Sequence, residues 1–239
     1  MGSTRLPGKI LKEVKGLPLL GHEIKRVELA KKISKIVLAT TTLPEDDKTE
    51  EFCKKINIAC FRGSVDDVLD RYYEAATEFG SFDAVMRLTG DCPLIDPIIL
   101  DQLVEFFEQG RFDYASNVGK ETFPDGMDAE IFTVKALEEA YREARLKSER
   151  EHVTSYIRKS NHFKKGNLES SGDYSAYRFT VDNPEDFEVI KFIIENSDEN
   201  FGYLDYIELI DRNVEVKSKN MKIMRNEGYA KSLKEDKNL

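Results

Sequence analysis

An α/β fold built on a parallel sheet is what the sequence predicts, on three observations. Short, continuous apolar runs at 35–40, 58–61 and 84–88 each end in polar or turn residues, as buried parallel strands require. Stretches of helical periodicity separate these runs, and such alternation calls for right-handed crossovers. Finally, 239 residues at 40% hydrophobic, with 10 Tyr and 14 Phe, suffice for one core, and no repeat or Ser/Pro-rich linker divides them.

The elements follow in order. Leu20, Ile24, Val27 and Ala30/Ile33 share one helical face ahead of the strand Lys35–Thr40. Pro44-Glu45-Asp46-Asp47 opens a helix whose acidic first turn suits the positive end of the helix dipole. After the strand Ile58–Phe61, Ser64 supplies an N-cap, Val65, Leu69, Tyr72, Ala76 and Phe79 form a face, and Gly80 stops the helix. The strand Ala84–Leu88 leads into the loop Thr89-Gly90-Asp91-Cys92-Pro93. Asp96-Pro97 then starts a helix with Ile99, Leu103, Phe106 and Phe107 inward, closed by Gly110. From Asp113 shorter strands are expected at 114–117, 130–134, 164–168 and 177–181, with helices near 135–146, 149–159, 184–196 and 203–212.

Charge excludes several classes of function. Against 36 Lys+Arg stand 45 Asp+Glu, a formal net charge of -9, which argues against a nucleic-acid-coating protein. The imbalance is uneven: residues 1–35 carry nine basic and three acidic side chains, so a local basic segment can hold a small anion. No run approaches the 18 apolar residues of a spanning helix, and the N-terminus has no apolar signal-peptide core, so no membrane partner is expected. Cys53, Cys60 and Cys92 form no C-x-x-C pair and read as reduced thiols of a cytoplasmic protein, not as a zinc site or disulfide framework.

Several residues are candidates for chemistry, each with a structural alternative. Gly2-Ser3-Thr4-Arg5-Leu6-Pro7-Gly8-Lys9 resembles a P-loop, but five residues separate Gly2 from Gly8 and Ile10 stands where Ser or Thr would ligate magnesium. It is either a solvated basic turn or an anion nest in which Arg5 and Lys9 neutralise a triphosphate. Asp91, after a buried strand, is placed either to hold Mg²⁺ at the carboxyl end of the sheet or to stabilise a turn. Asp182 ends the expected strand 177–181, where it or Asn183 could cap the next helix; two carboxylates ending two strands are also what one Mg²⁺ needs. Asp125, Asp128 and Glu130 cluster around a turn, and Glu149-Arg150-Glu151-His152 forms a dense charged segment; a turn and a solvated helix start are the plainer readings. With no Ser/His/Asp or Cys/His nucleophile and no GxGxxG, phosphoryl or nucleotidyl transfer is the leading chemistry, because it relies on positioning and charge.

Longer motifs carry a family resemblance. Gly-Ser-Thr-Arg-Leu-Pro-Gly-Lys at 2–9, Ala-Thr-Thr-Thr-x-Pro-Glu-Asp-Asp at 39–47, Arg-Gly-Ser-x-Asp-Asp-Val-Leu-Asp-Arg-Tyr at 62–72, Thr-Gly-Asp-Cys-Pro-Leu-Ile-Asp-Pro at 89–97, Pro-Asp-Gly-Met-Asp-Ala-Glu at 124–130, Glu-Arg-Glu-His-Val-Thr at 149–154 and Thr-Val-Asp-Asn-Pro-Glu-Asp-Phe at 180–187 resemble cytidylyltransferases of the spore-coat polysaccharide protein F type. These are relatives of the synthetases that make CMP-activated Kdo and sialic acids. The resemblance runs from residue 2 to Arg225-Asn226-Glu227-Gly228-Tyr229.

It implies a three-layer nucleotide-diphospho-sugar transferase-like fold with a mixed, mostly parallel sheet and a small strand-rich region. It also implies one domain over 1–239, with a nucleotide-binding half at 1–112 and an acceptor-binding and dimerisation half at 113–239. The implied reaction is CTP plus a sugar acid giving a CMP-sugar and pyrophosphate, by a homodimer. Carried over by position, Arg5 and Lys9 grip the triphosphate within the loop of Gly2, Ser3 and Thr4. Ser64, Asp70 and Arg71 lie beside the nucleotide, Asp91 and Asp182 hold Mg²⁺, and Asp125, Asp128, Glu130, Glu149, Arg150, His152 and Arg178 face the acceptor. Relatives of this type begin with an apolar strand ending in Gln-Ala-Arg directly before Met-Gly-Ser-Thr-Arg, whereas this sequence starts at that Met. The cellular protein is therefore expected to be about ten residues longer, by the length of a strand and its lead-in. Alternatives within the same fold are another base or a phosphorylated acceptor; a non-catalytic nucleotide-sugar-binding protein is the alternative of a different class.

Overall fold

Two parallel strands, β3 (Val37–Thr41) and β4 (Ala59–Gly63), form one sheet, and a four-stranded mixed sheet forms another. The computed structural model describes residues 5–225, with Leu233 and Asp236. Ahead of β3, a short 3-10 turn at Lys9–Leu11 precedes the hairpin of β1 (Glu13–Val14) and β2 (Leu17–Pro18), and α1 (Leu19–Glu28) follows. After β3 come α2 (Asp47–Lys55), then β4, α3 (Val68–Phe79), β5 (Ala84–Arg87) and α4 (Pro97–Gly110). The second half contains β6 (Tyr114–Ser116), β7 (Glu130–Thr133), α5 (Val134–Glu143), α6 (Lys147–Glu151), α7 (Ser155–Lys159), β8 (Lys165–Asn167), α8 (Pro184–Asn196), α9 (Tyr203–Asp211) and α10 (Val214–Lys217).

The alternation expected in the first half is present, yet its strands do not all share one sheet. In the larger sheet, of order β5-β7-β6-β8, β7 pairs antiparallel with both β5 and β6, while β6 and β8 run parallel. Among the described residues β3 is laddered on one edge, and its apolar run is half-buried, Thr40 alone being buried. Helix starts follow the capping chemistry of the sequence: Asp96 accepts from Ile98 N–H at 2.9 Å with Pro97 in the first turn of α4. The N-cap of α3 is Asp67, not Ser64; Ser64 Oγ instead accepts from Asp67 N–H at 3.1 Å, one turn earlier.

Two departures shape the region of interest. Residues 177–181 form no strand: the segment makes one isolated bridge, Asp125 to Arg178, and hydrogen bonds to Asp91. The single helix expected over 149–159 is broken into α6 and α7 at Val153, whose φ of 54° is costly for a β-branched residue.

Packing is divided among three apolar clusters. One joins α8 and α9 to Met127, Phe179 and Val181; a second joins α3, α5 and α7 around Leu69, Phe132 and Leu137; a third seats α1 and α4 on Ala115 and Ile131. Gly126 is fixed by the first: at φ 96°, an added Cβ would lie 2.5 Å from the Phe179 carbonyl carbon and 2.6 Å from Thr180 N. That close approach lays Asp125 against Arg178, with Asp125 N–H donating to Tyr177 O at 3.0 Å and Phe179 N–H to Asp125 O at 2.6 Å.

Candidate active site

The loop after β5 and the segment before α8 are tied backbone to backbone. Val181 N–H donates to Asp91 O at 2.9 Å and Thr180 Oγ1 donates to it at 3.2 Å, so two acids remote in sequence become neighbours. Gly8, at φ 66°, turns the chain into the 3-10 turn that starts at Lys9. Lys9 Nζ then donates to Asp91 Oδ2 at 2.8 Å and to Asp182 Oδ1 at 2.9 Å, while Arg5 Nη2 lies 3.1 Å from Asp182 Oδ1. Burial by itself would lower the Lys9 pKa, but the two carboxylates overcome it and hold the ammonium above its usual value. Burial likewise would raise Asp182, and Lys9 with Arg178 reverses it to below the carboxylate range.

Arg178 is a clamp. Its Nε donates to Asp186 Oδ1 at 2.9 Å, Nη2 to Asp182 Oδ2 at 2.8 Å and to Asp186 Oδ2 at 3.1 Å, and Nη1 to Asp125. Asp125, enclosed with it, is held above its normal pKa, burial outweighing Arg178 and Arg225. Arg225 in turn pairs with Asp128 and has Glu121 at 3.5 Å and Asp125 at 3.7 Å.

In front of these groups opens a cavity of about 290 Å³ whose walls include Arg5, Arg87, Asp91, Asp125, Asp128, Glu130, His152, Arg178 and Asp182. Glu130 is its buried hub: Arg87 Nη1 donates at 2.6 Å, Tyr114 OH at 2.6 Å and Thr154 Oγ1 at 2.7 Å. Burial would raise the Glu130 pKa, but Arg87 and the two hydroxyls bring it below normal. Asp128, whose side chain keeps 29% exposure to the cavity, is pushed up to about 7 by burial and by the neighbouring Asp125, Glu130 and Glu121, against the pull of Arg225. Burial also lowers the His152 pKa, leaving a neutral imidazole on the wall at pH 7.

The sequence candidates thus divide. Arg5, Lys9, Asp91, Asp125, Asp128, Glu130, His152, Arg178 and Asp182 converge on one place. Glu149 and Arg150 do not line the cavity. Glu149 caps the start of α6, accepting from Arg145 and Leu146 N–H at 3.1 Å each, and Arg150 Nε donates to Asp67 at 2.7 Å with its guanidinium over Tyr141. Arg150 thus closes the α3–α6 contact, while Glu149 serves α6 itself and pairs with Lys159 of α7 at 3.7 Å. Ser64, Asp70 and Arg71 gather at the start of α3 away from the cavity, with Arg71 Nη1 donating to Ser64 O at 2.7 Å. Gly2, Ser3, Thr4 and the 226–229 end of the last motif lie outside the described residues. Sequence reasoning missed Arg87, Asp186 and Arg225. A cation at the end of the apolar run before Thr-Gly-Asp was the available signal for Arg87, and the motif that starts at Arg225 was the signal for that residue.

The donor set suits Mg²⁺, which takes one or two carboxylates and completes its shell with water or phosphate oxygens. Asp91 and Asp182 offer two hard oxygens at a common point, and no cluster of three His, Cys, Asp or Glu ligands occurs among the described residues. Arg5, Lys9, Arg178 and Arg225 pair here with Asp91, Glu121, Asp125, Asp128, Asp182 and Asp186, a carboxylate-rich setting that a divalent ion would suit.

Comparison with known proteins supplies the family. A solved cytidylyltransferase from Leptospira borgpetersenii superposes with a TM-score of 0.86 at 41% identity, covering 94% of this chain and 95% of that one. Spore coat polysaccharide biosynthesis protein SpsF of Bacillus subtilis is 34% identical over 230 residues, 89% of this chain and 91% of that protein. An 8-amino-3,8-dideoxy-manno-octulosonate cytidylyltransferase of Shewanella amazonensis is 37% identical over 119 residues, 48% of each chain. The cytidylyltransferase family profile matches residues 1–228, and the chain, with its α/β fold, belongs to the cytidylyltransferase family.

Proposed function

We propose that this protein transfers CMP from CTP to a hydroxyl of a sugar acid, with Mg²⁺ and release of pyrophosphate, in the synthesis of surface polysaccharide. The observation that carries this reading is the convergence of Lys9 on Asp91 and Asp182, two acids that line a polar cavity. The names of two relatives support the acceptor class: one belongs to polysaccharide biosynthesis and the other acts on an octulosonate.

The acceptor oxygen attacks the α-phosphorus while the bond to the pyrophosphate oxygen breaks, so no protein nucleophile is needed. Arg5 and Lys9 offset charge on the triphosphate and on the departing pyrophosphate. Asp91 and Asp182 would hold Mg²⁺, which when bound adds Lewis-acid neutralisation of the phosphate oxygens. Asp125, Asp128, Glu130 and His152 present the acceptor's polar groups with partners and exclude bulk water from one side of it. Homodimerisation through 113–175 is part of the proposal.

Pyrophosphate release measured with CTP, Mg²⁺ and a panel of sugar acids tests it, and the expected result is release with at least one acid that depends on both ion and acceptor. Asp91→Asn is expected to abolish turnover with the fold intact. CTP binding without release for any acid, or full activity of Asp91→Asn, overturns the assignment.

A further inference from the structure

Asp182 is held by two cations of different mobility. Its Oδ2 accepts from Arg178 Nη2 at 2.8 Å, and that guanidinium, 6% exposed, is also bound to Asp125 and Asp186. Arg178 could not leave without stranding buried Asp186 and taking from Asp125 the nearer of its two cations. Its Oδ1 accepts from Lys9 Nζ at 2.9 Å, and the same ammonium donates to Asp91 Oδ2 at 2.8 Å. Lys9 has these two carboxylates as its ion-pair partners, and it carries its charge on a flexible four-carbon stem.

The oxygens bridged by Lys9 belong to the two carboxylates that a divalent ion would take. Mg²⁺ sits about 2.0–2.1 Å from its oxygen ligands, and an ammonium within hydrogen-bond reach of the same pair both repels it and occupies its approach. Resting on the reading of Asp91 and Asp182 as the metal pair, we propose that Lys9 is an exchangeable cation: it leaves both carboxylates when the divalent ion binds and transfers its charge to the nucleotide phosphates. Ion and nucleotide then favour one another's binding through this side chain. An ion arriving alone displaces the ammonium with no phosphate to receive it, whereas a triphosphate gives Lys9 a new anionic partner. Linkage makes the effect reciprocal.

The test is Mn²⁺ binding without nucleotide, read by the electron paramagnetic resonance of the free ion, on the full chain. Lys9→Met is expected to bind Mn²⁺ about tenfold or more tightly than the unmodified protein, within the usual span of coupling between two sites. Lys9→Gln, which keeps a polar end group without the charge, gains in the same direction and stands in if the methionine variant does not fold. Arg5→Met removes one charge from Asp182, 3.1 Å away, but leaves Asp91 bridged, so its gain is smaller. No gain in either folded Lys9 variant, or an equal gain in Arg5→Met, overturns the exchange. Lys9→Met combined with Asp91→Asn is expected to lose the gain. If the gain persists there, the ion sits elsewhere and the metal-pair reading fails with it, an outcome distinct from the absence of any gain.

Discussion

Asp186 receives the Arg178 guanidinium on both carboxylate oxygens, from Nε at 2.9 Å and Nη2 at 3.1 Å, at the N-terminus of α8. Its Oδ2 also accepts the backbone N–H groups of Asp182 and Asn183, at 3.0 Å each, and Asn220 Nδ2 donates to Oδ1 at 3.0 Å. One buried carboxylate therefore starts a helix, anchors a guanidinium and sets the direction of Asp182.

Arg178→Met leaves Asp186 buried without its cation and Asp125 with Arg225 alone, 3.7 Å away. The expected loss is about 3–5 kcal/mol of stability, as for breaking a buried ion pair by removing one partner. Chemical denaturation checks it; a loss below about 1 kcal/mol, the scale of an exposed pair, counts against the clamp.

Gly126→Ala forces a Cβ onto the Phe179–Thr180 peptide at a φ of 96°. A cost of about 1–3 kcal/mol is expected from the backbone conformation alone. Because Asp125 rides on the same turn, turnover falls as well; a wild-type melting curve together with wild-type turnover contradicts the close approach.

Asp128 and Glu130 respond to pH with opposite signs. The Asp128 pKa is raised to about 7, so its contribution is present below the unfolded value and is lost as pH rises through about 7. Glu130 is lowered, so its contribution is present above its unfolded pKa and is lost on acidification through its folded pKa. Denaturation midpoints across pH, compared with Asp128→Asn and Glu130→Gln, separate the two. Relative to its variant, the wild type loses stability with rising pH in the first comparison and with falling pH in the second.

Arg150→Met breaks a half-buried pair with Asp67 that lies outside the cavity. About 1 kcal/mol of stability is the expected cost, near the upper end for exposed pairs. The acceptor KM at saturating CTP is expected to stay unchanged, and a severalfold rise in it, with the variant folded, would return Arg150 to the acceptor site.

The sequence made legible what is written locally. Helical periodicity located α1, α3, α4, α5, α8 and α9 to within a few residues, because one apolar face per helix is enough to locate each. Residues 177–181 alternate as a strand does, yet they are spent on Asp125 and Asp91. The break at Val153 was illegible because a φ of 54° at a β-branched residue contradicts local preference and is imposed by packing.

For the site, motif and spacing singled out Arg5, Lys9, Asp91 and Asp182, which the structure brings together, although only Asp91 follows an apolar strand at the edge of the layer. Partner choice was decided only by the tertiary structure. Arg178 and Arg150 are both basic candidates for the acceptor site, but one closes on Asp125, Asp182 and Asp186 and the other on Asp67. Likewise, an ammonium between Asp91 and Asp182 depends on three segments meeting, which no local pattern encodes. The order of elements and the acids that end them belong to the sequence by itself; which charges neutralise one another, and which face the cavity, is settled by long-range packing.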